Sequence, residues 1–239
     1  MAPGETIIFN PDFSDPAYDI RDDFVFETGD KWANNEKQCY RDDASHCFVK
    51  DGILNIVATK EEGHCRYISS RITTKETHLF NKGTFVVRAK MPKGRGSWPA
   101  AWFLGLPKPG EVRKWPDCGE IDLLEFAGNR PGQVTCALHT KAYNHKIGNQ
   151  RNAKLLMEGL DEAFHDYTMV WDENSITIDV DGNVLRRFER QNDDTDEAWP
   201  FDKPYYLLLN LAVGGWYGGP VNDDDFPFVF QIASIKVTS

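Results

Sequence analysis

The chain has 239 residues, a formal net charge of −10 and an aromatic content of 13%. The excess of acids argues against a nucleic-acid partner, since such binding depends on Lys and Arg residues that neutralise phosphates, and no apolar run is long enough to span a bilayer. No linker, repeat or low-complexity stretch divides the sequence, so we predict one domain over residues 1–239, with aromatic rings suited to stacking on a neutral ligand.

Alternating apolar and polar residues predict short β-strands along most of the chain. The alternation is clear in 84–91 and 175–181, and Asp181-Gly182 then predicts a tight hairpin turn into 184–188. One segment, 151–160, is predicted to be helical. Many short strands separated by turns indicate an all-β sandwich or barrel, and the period alone does not choose between the two. Further strands are predicted at 46–50, 53–59, 65–74, 98–106, 120–127, 133–140, 165–171, 205–213 and 228–237.

The five cysteines leave at least one thiol unpaired, and their spacings match no zinc site. Cys39, Cys47 and Cys65 lie near one another in sequence and could supply one disulfide. The pairing within this group stays open.

The most informative segment is Gly119–Phe126, in which three acids alternate with large apolar residues. Side chains two apart on a strand share a face, so Glu120 and Asp122 point the same way. Glu125 would point to the opposite face, unless a β-bulge near 123–124 inserts one residue and brings it back. We predict this bulge, because it places apolar residues in the core and all three acids on one concave surface.

Such a row of acids suits the cleavage of a glycosidic bond. Neighbouring carboxyls raise each other's pKa and resist simultaneous ionisation, while this reaction needs one ionised and one protonated carboxyl. Retention of configuration needs the two carboxyls about 5–5.5 Å apart, which neighbouring positions on one bulged strand can meet. One alternative is a solvated edge strand, which rarely carries apolar residues at the intervening positions. The other is a metal site, which is disfavoured because the sequence has no His at ligand spacing beside the acids.

Several tryptophans flank these acids in sequence, and an indole ring can stack on the C–H face of a sugar. Trp98 and Trp115 each precede a proline in a loop-like context, which favours a ligand role. Trp102 has apolar neighbours, so core packing is an equal alternative for it. Trp216 lies in a glycine-rich loop, where an exposed aromatic residue often marks a binding surface.

The segment Glu120–Glu125 resembles the bulged catalytic signature of glycoside hydrolase family 16, in particular its laminarinase (endo-β-1,3-glucanase) branch. The resemblance extends in order over nearly the whole chain. It implies a β-jelly-roll sandwich of two antiparallel sheets with a concave substrate cleft. The similar segments are Asn34-Asn35-Glu36, 67–72, 83–92, 96–105, Trp115-Pro116, 138–140, 164–167 and 209–215.

The resemblance also implies residue roles. Glu120 would be the nucleophile, Glu125 the acid/base and Asp122 the residue that assists the nucleophile. The substrate contacts that it implies are Asn34 and Arg71 on the non-reducing side of the cleft and His139 near the leaving group.

We therefore expect an endo-acting, retaining hydrolase of internal β-1,3-glucosidic bonds in β-glucans such as laminarin. A transglycosylase and a non-catalytic β-glucan recognition protein of the same fold are the alternatives, and the presence of both Glu120 and Glu125 disfavours the second. Agarases and carrageenases share the bulge, but no cluster of basic residues suited to sulfate is present in this sequence.

We expect a monomer that binds a glucan and uses no cofactor and no metal. Many family members hold a structural calcium with an Asp in the last strand, where Ala233 stands here. The acidic runs 193–197 and 223–225 are expected to be solvated loops. Residues 1–5 show no signal-peptide pattern, and the polysaccharide substrate leads us to expect a secreted protein whose leader is absent from this chain.

Overall fold

The computed structural model describes residues 5–107, 110, 112 and 114–239. Met1–Gly4, which belong to the segment predicted to lack a signal-peptide pattern, lie outside the described residues. Within the described part of the chain, no helix has the length and apolar character that crossing a membrane requires. The strands are β1 Ile7–Phe9, β2 Val25–Phe26, β3 Gln38–Tyr40, β4 Cys47–Lys50, β5 Ile53–Lys60, β6 Tyr67–Ser69, β7 Arg71–Thr73, β8 Gly83–Lys90, β9 Ser97–Gly105, β10 Glu120–Phe126, β11 Gln133–His139, β12 Arg151–Leu156, β13 His165–Trp171, β14 Ser175–Val180, β15 Asn183–Glu189, β16 Tyr205–Val213 and β17 Phe228–Thr238. The short helices are α1 Ile20–Asp23 and α2 Gly215–Gly218, with single 3-10 turns at His145–Ile147 and Asp223–Asp225.

These strands form two sheets packed face to face. The seven-stranded sheet has the order β12-β11-β10-β9-β16-β7-β2. The ten-stranded sheet has the order β15-β14-β13-β8-β17-β5-β6-β3, with β1 beside β17 and β4 beside β5. Neighbouring strands are antiparallel except for β3 and β6, which are parallel. The architecture is the predicted β-jelly-roll sandwich.

One hydrophobic cluster, drawn from both sheets, fills the space between them. Phe85 of β8 and Ile121 of β10 lie in it with about 1% or less of their surface exposed, and full burial of such side chains contributes about 1.5–3 kcal/mol each. Because strand side chains alternate, burial of Leu209 and Leu211 turns Asn210 toward the opposite face of the seven-stranded sheet. The core thereby determines which residues line the concave surface.

Most of the predicted strands are confirmed with boundaries within about one residue. The hairpin turn is also confirmed, since Asp181 and Gly182 have φ of 50° and 77° and join β14 to β15. The prediction of a single strand over 65–74 is wrong, because the chain leaves one sheet at Ser70 and enters the other. Ser70 donates a hydrogen bond from Oγ to the carbonyl of Arg41 at 2.9 Å at this crossing.

The prediction of a helix over 151–160 is also wrong. Residues Arg151–Leu156 form β12, the edge strand of the seven-stranded sheet, which pairs with β11 over its whole length. Ala153 and Leu155 pack against the core, while Lys154 between them is exposed. The Ala, Lys and Leu residues favour a helix locally, but pairing with β11 and burial of one face outweigh that weak preference.

Cys39 and Cys65 form a disulfide, which confirms that the predicted group of three cysteines supplies a bridge. The other three cysteines are free and buried. The expectation that both acidic runs are merely solvated is wrong for Asp223, which accepts hydrogen bonds from Arg66 and Tyr67. It is also wrong for Asp194, whose side chain is only 7% exposed.

Candidate active site

The three acids lie on β10, and a bulge in this strand turns all of them toward the concave face of the seven-stranded sheet. Asp122 and Glu125 are three residues apart, whereas their partners on β11, Ala137 and Thr135, are two apart. The extra residue allows both leucines of 123–124 to lie in the core with about 1% or less of their surface exposed. The predicted bulge is confirmed, and Glu125 returns to the face that carries the other two acids.

Small side chains flank the acids on the neighbouring strands. Ala137 of β11 stands opposite Asp122, and Ala100 of β9 stands opposite Glu125. A methyl group reaches little beyond the backbone, so space remains on both sides of the acid row. A sugar ring can approach the carboxyls across this part of the sheet.

Two adjoining cavities lie over the acid row. The first, with a volume of about 600 Å³, extends toward Thr135 and Tyr217 and is called the Tyr217 cavity here. The second, with a volume of about 440 Å³, extends toward Trp32 and Trp102 and is called the Trp102 cavity. Together they make an open cleft that continues in both directions from the acids. Both cavities are lined by Glu120, Asp122, Glu125, Asn34 and Trp98.

Polar contacts converge on Glu120. Trp115 donates a hydrogen bond from Nε1 to Oε2 of Glu120 at 2.9 Å. His139 stands opposite Glu120 on β11, with Nε2 at 3.7 Å from Oε1 of Glu120 and at 3.2 Å from Oδ2 of Asp122. His139 thus lies inside the acid cluster and lines the Tyr217 cavity, and its place near the leaving group stays a prediction.

Trp115 is held from its other side by the 3-10 turn between β11 and β12. The ring of His145 has its centroid 4.8 Å from that of Trp115, and Lys146 Nζ lies 4.7 Å from the indole centroid. These contacts fix the indole whose N–H reaches Glu120.

Glu125 has an indole donor of its own. Trp98 donates a hydrogen bond from Nε1 to Oε1 of Glu125 at 3.0 Å. The loop-like context predicted for Trp98 is wrong, because the residue lies on β9 with its side chain largely buried. Its ring centroid is 5.4 Å from that of Tyr217, and the Tyr217 hydroxyl shares a 2.7 Å hydrogen bond with Thr135.

Burial raises the pKa of all three carboxyls. The pKa of Glu120 is raised well above its usual range by burial and then by repulsion from Asp122, while His139 and an indole N–H oppose the rise. Burial raises the pKa of Asp122 to about 8, against a hydrogen bond with Glu120. Burial and repulsion from Asp122 raise the pKa of Glu125 to about 8, again opposed by His139 and an indole N–H. The row therefore retains at least one proton near neutral pH.

The Trp102 cavity ends in a stack of side chains around Arg71. The Arg71 guanidinium lies 5.0 Å from the ring centroid of Trp32 and 4.9 Å from that of Trp102, and it forms an ion pair with Glu27. Trp102 donates a hydrogen bond from Nε1 to Oδ1 of Asn210 at 2.8 Å. Arg71 and Trp102 therefore border the cleft. The alternative that Trp102 packs in the core is wrong.

Trp216 and Asn34 meet at the rim of the cleft. The Trp216 side chain is 69% exposed, and its backbone N–H donates to the Asn34 carbonyl at 2.9 Å. Gly214 and Gly215 precede Trp216 with φ of 70° and 71°, a conformation that favours glycine. The structure thus brings Trp216 to the cleft as an exposed ring on a tight turn.

Sequence reasoning missed several residues of the cleft. Trp32 and Glu36 lie two residues on either side of Asn34, and a turn with positive φ at Asn34 and Asn35 brings both to the cleft. No local pattern indicated the others, because loops remote in sequence carry them. The missed residues are Trp32, Glu36, His145, Lys146 and Tyr217.

The position of His139 also bears on metal binding. The sequence spacing places no His beside the acids, but the β10–β11 register does so. One ligand atom each of Glu120, Asp122 and His139 lie within 4.8 Å of one another. Glu120 already accepts the Trp115 N–H and shares a hydrogen bond with Asp122, so a cation would compete for the same lone pairs. That the site works without a metal stays a prediction.

Comparisons with known proteins agree with this geometry. A profile of the glycosyl hydrolases family 16 matches residues 33–227. A beta-glucanase of Rhodothermus marinus is 37% identical over 217 residues, which cover 87% of this chain and 76% of the relative. The X-ray structure of the laminarinase from Rhodothermus marinus is similar with a TM-score of 0.93 at 32% identity, covering 98% of this chain and 97% of the other. The crystal structure of a LamA variant from Z. galactanivorans with laminaritriose and laminaritetraose is similar with a TM-score of 0.84 at 26% identity, covering 98% and 99%.

Proposed function

The chain belongs to the glycosyl hydrolases family 16, and from this premise we propose that it hydrolyses internal β-1,3-glucosidic bonds of β-glucans such as laminarin, with retention of configuration. The protein is a glycoside hydrolase. The observation that carries the proposed chemistry is the bulge in β10, which presents Glu120 and Glu125 on the floor of one open cleft.

Glu120 is the proposed nucleophile. Its carboxylate attacks the anomeric carbon while the bond from that carbon to the leaving oxygen breaks, which leaves a covalent glycosyl–enzyme ester. The Trp115 N–H, the His139 imidazole and the Asp122 carboxyl all contact this one carboxyl group. The indole N–H and the imidazole favour the ionised form of Glu120, whereas the negative charge of Asp122 opposes ionisation. Asp122 shares a hydrogen bond with Glu120 that holds the nucleophile in place, so Asp122 is assigned as the assisting residue.

Glu125 is the proposed acid/base. In the first step it gives its proton to the leaving oxygen, and in the second it takes a proton from the water that attacks the anomeric carbon and releases the Glu120 carboxylate. Its raised pKa, caused first by burial, supports a protonated form in the resting enzyme. Each glutamate accepts one indole N–H, but Glu120 is also contacted by His139 and Asp122, which supports its role as the held nucleophile.

The shape of the cleft supports endo action on a neutral chain. The Tyr217 cavity and the Trp102 cavity extend in opposite directions from the acids, so a polysaccharide can cross the site without ending in it. Trp98, Trp102, Trp115 and Trp216 offer indole surfaces for stacking. Asn34 and Arg71 border the Trp102 cavity, the proposed non-reducing side, and His139 borders the Tyr217 cavity, the proposed leaving-group side.

We further propose a single-domain, monomeric, secreted enzyme. One core drawn from both sheets supports the single domain. Secretion is supported by the Cys39–Cys65 disulfide, since such bridges persist in oxidising compartments.

Product analysis on laminarin, lichenan, agarose and carrageenan in parallel tests the substrate and the reaction. We expect oligosaccharides from laminarin, with the β-anomer appearing first by NMR, and none from agarose or carrageenan. Glu120→Gln and Glu125→Gln should each reduce kcat by at least about 10³-fold, as expected for a nucleophile and an acid/base. Near-normal activity of either folded variant contradicts its assigned role.

A further inference from the structure

Glu36 is a cleft carboxyl that the proposed mechanism does not use. It lies between the turn at Asn34 and Asn35 and the start of β3, and it lines the Trp102 cavity together with Trp32 and Asn34. The segment is fixed to β16, because Glu36 forms a bridge with Gly214 and the Lys37 N–H donates to the Val213 carbonyl at 2.9 Å. Glu36 is therefore presented to the cavity by a held backbone.

The Glu36 carboxyl is also oriented by the buried side chain of Gln38. Gln38 donates a hydrogen bond from Nε2 to Oε2 of Glu36 at 2.8 Å. Gln38 is 1% exposed, and its own Oε1 accepts the Val213 N–H at 2.7 Å. The amide of Gln38 is thereby fixed in the sense that makes it a donor to Glu36, and the carboxyl faces the cavity in one orientation.

The charges around Glu36 do not cancel. Burial raises the pKa of Glu36, while the Gln38 hydrogen bond and the Arg71 charge oppose the rise and favour its ionised form. Arg71 also forms an ion pair with Glu27. One cation thus faces two acids at this end of the cavity. Among the described residues, the other cations that line the cavity are Lys114 and Lys146. Lys146 packs on the indole of Trp115, the residue that follows Lys114 in the chain.

We propose that Glu36 is a specificity-determining residue on the non-reducing side of the cleft. It accepts hydrogen bonds from the hydroxyls of a glucosyl unit bound along Trp32 and Trp102, and its negative charge restricts this subsite to uncharged sugars. The inference rests on the proposed glucanase function and adds a substrate class to it, namely β-glucans without acidic substituents at this subsite. A carboxylate recognises a hydroxyl donor and repels a second anion, so one group serves both purposes.

The test compares kcat/KM on laminarin and on lightly carboxymethylated laminarin. Glu36→Gln removes the charge but keeps an oxygen that can accept from Gln38. We expect the ratio of kcat/KM on the anionic polymer to that on laminarin to rise about five- to tenfold, as for one like charge in a partly solvated cavity. Glu173→Gln removes the same charge from an exposed turn outside both cavities and should leave the ratio unchanged.

Two further variants separate charge from shape. Glu36→Asp keeps the charge and should keep the discrimination against the anionic polymer. Glu36→Ala should raise KM for laminarin about fivefold with kcat changed less than about twofold, because it removes binding common to the ground and transition states. A purely structural role would lower activity on both polymers equally.

An unchanged ratio in active Glu36→Gln overturns the inference while wild-type cleavage of laminarin still supports the proposed function. If wild type does not cleave laminarin, the proposed function fails, and calorimetric binding of the two polymers to the same variants still tests Glu36. If Glu36→Gln does not fold, wild type is assayed from low to high ionic strength. Its relative rate on the anionic polymer should then rise, and a constant ratio overturns the inference.

Discussion

Replacing Trp98 by Phe should move one limb of the pH profile and leave the other in place. The Trp98 N–H donates to Glu125 at 3.0 Å and lowers the pKa of that carboxyl by favouring its ionised form. Phe keeps an aromatic ring but has no donor. Because Glu125 acts first as an acid, its pKa sets the alkaline limb of kcat/KM, and losing the donor should raise it.

The size of the shift follows from the hydrogen bond. A bond to a charged acceptor is worth about 1.5–3 kcal/mol, and about 1.4 kcal/mol corresponds to one pKa unit. The alkaline limb of Trp98→Phe should therefore lie about one to two pH units above that of wild type. The rate at the optimum should fall as well, since the donor also holds the carboxyl in place.

Trp115→Phe is the matched variant at the other glutamate. The Trp115 N–H lowers the pKa of Glu120, so its loss should raise the acid limb by a similar amount and leave the alkaline limb unmoved. Trp102→Phe is the control, because its indole N–H donates to the amide of Asn210 and to no carboxyl. If Trp98→Phe moves the acid limb and Trp115→Phe the alkaline limb, the roles of the two glutamates are exchanged.

Three more predictions concern stability and metal dependence. Burial raises the pKa of Asp122 and of Glu125 to about 8 in the folded protein, so the stability that these two carboxyls contribute is complete below about pH 4 and is lost as pH rises through about 8. Tm should therefore fall over this pH range. If Asp122→Asn leaves the slope of Tm against pH unchanged, Asp122 does not have the raised pKa assigned to it. Cys39→Ser removes the disulfide to Cys65, which closes a loop with a sequence separation of 26, and should lower the free energy of unfolding measured in urea by about 3–4 kcal/mol. The variant should also have a raised KM for laminarin, which the control Cys47→Ala should not. Chelation with EDTA should leave kcat unchanged, and loss of activity restored by a divalent cation would show that the acid–histidine cluster holds a metal.

The bulge in β10 shows what can be predicted from local sequence. In Gly119–Phe126 the apolar residues can be buried together only if one extra residue interrupts the alternation, so the pattern alone predicts that Glu125 rejoins Glu120 and Asp122. The register of β10 against β9 and β11 confirms this. The inference succeeds because the burial of neighbouring side chains in one strand is a local constraint.

Residues 151–160 show where prediction from local sequence fails. Helix-favouring residues predict a helix there, yet the segment pairs with β11 at the edge of the sheet. The break at Ser70 was hidden for a similar reason, since only the two separate sheets require the chain to cross between them. In both places long-range pairing outweighs a local preference of a few tenths of a kcal/mol per residue.

The sequence by itself determined the all-β class, the acid triplet and the bulge, because alternation and like-charge chemistry act over a few neighbouring residues. Only the tertiary structure brought His139 opposite Glu120, aimed the indoles of Trp98 and Trp115 at different glutamates, and placed Glu36 at the far end of the cleft. These contacts join segments that are distant in the chain. Their partners are chosen by sheet register and by how the loops pack over the sheet, neither of which any short stretch of residues encodes.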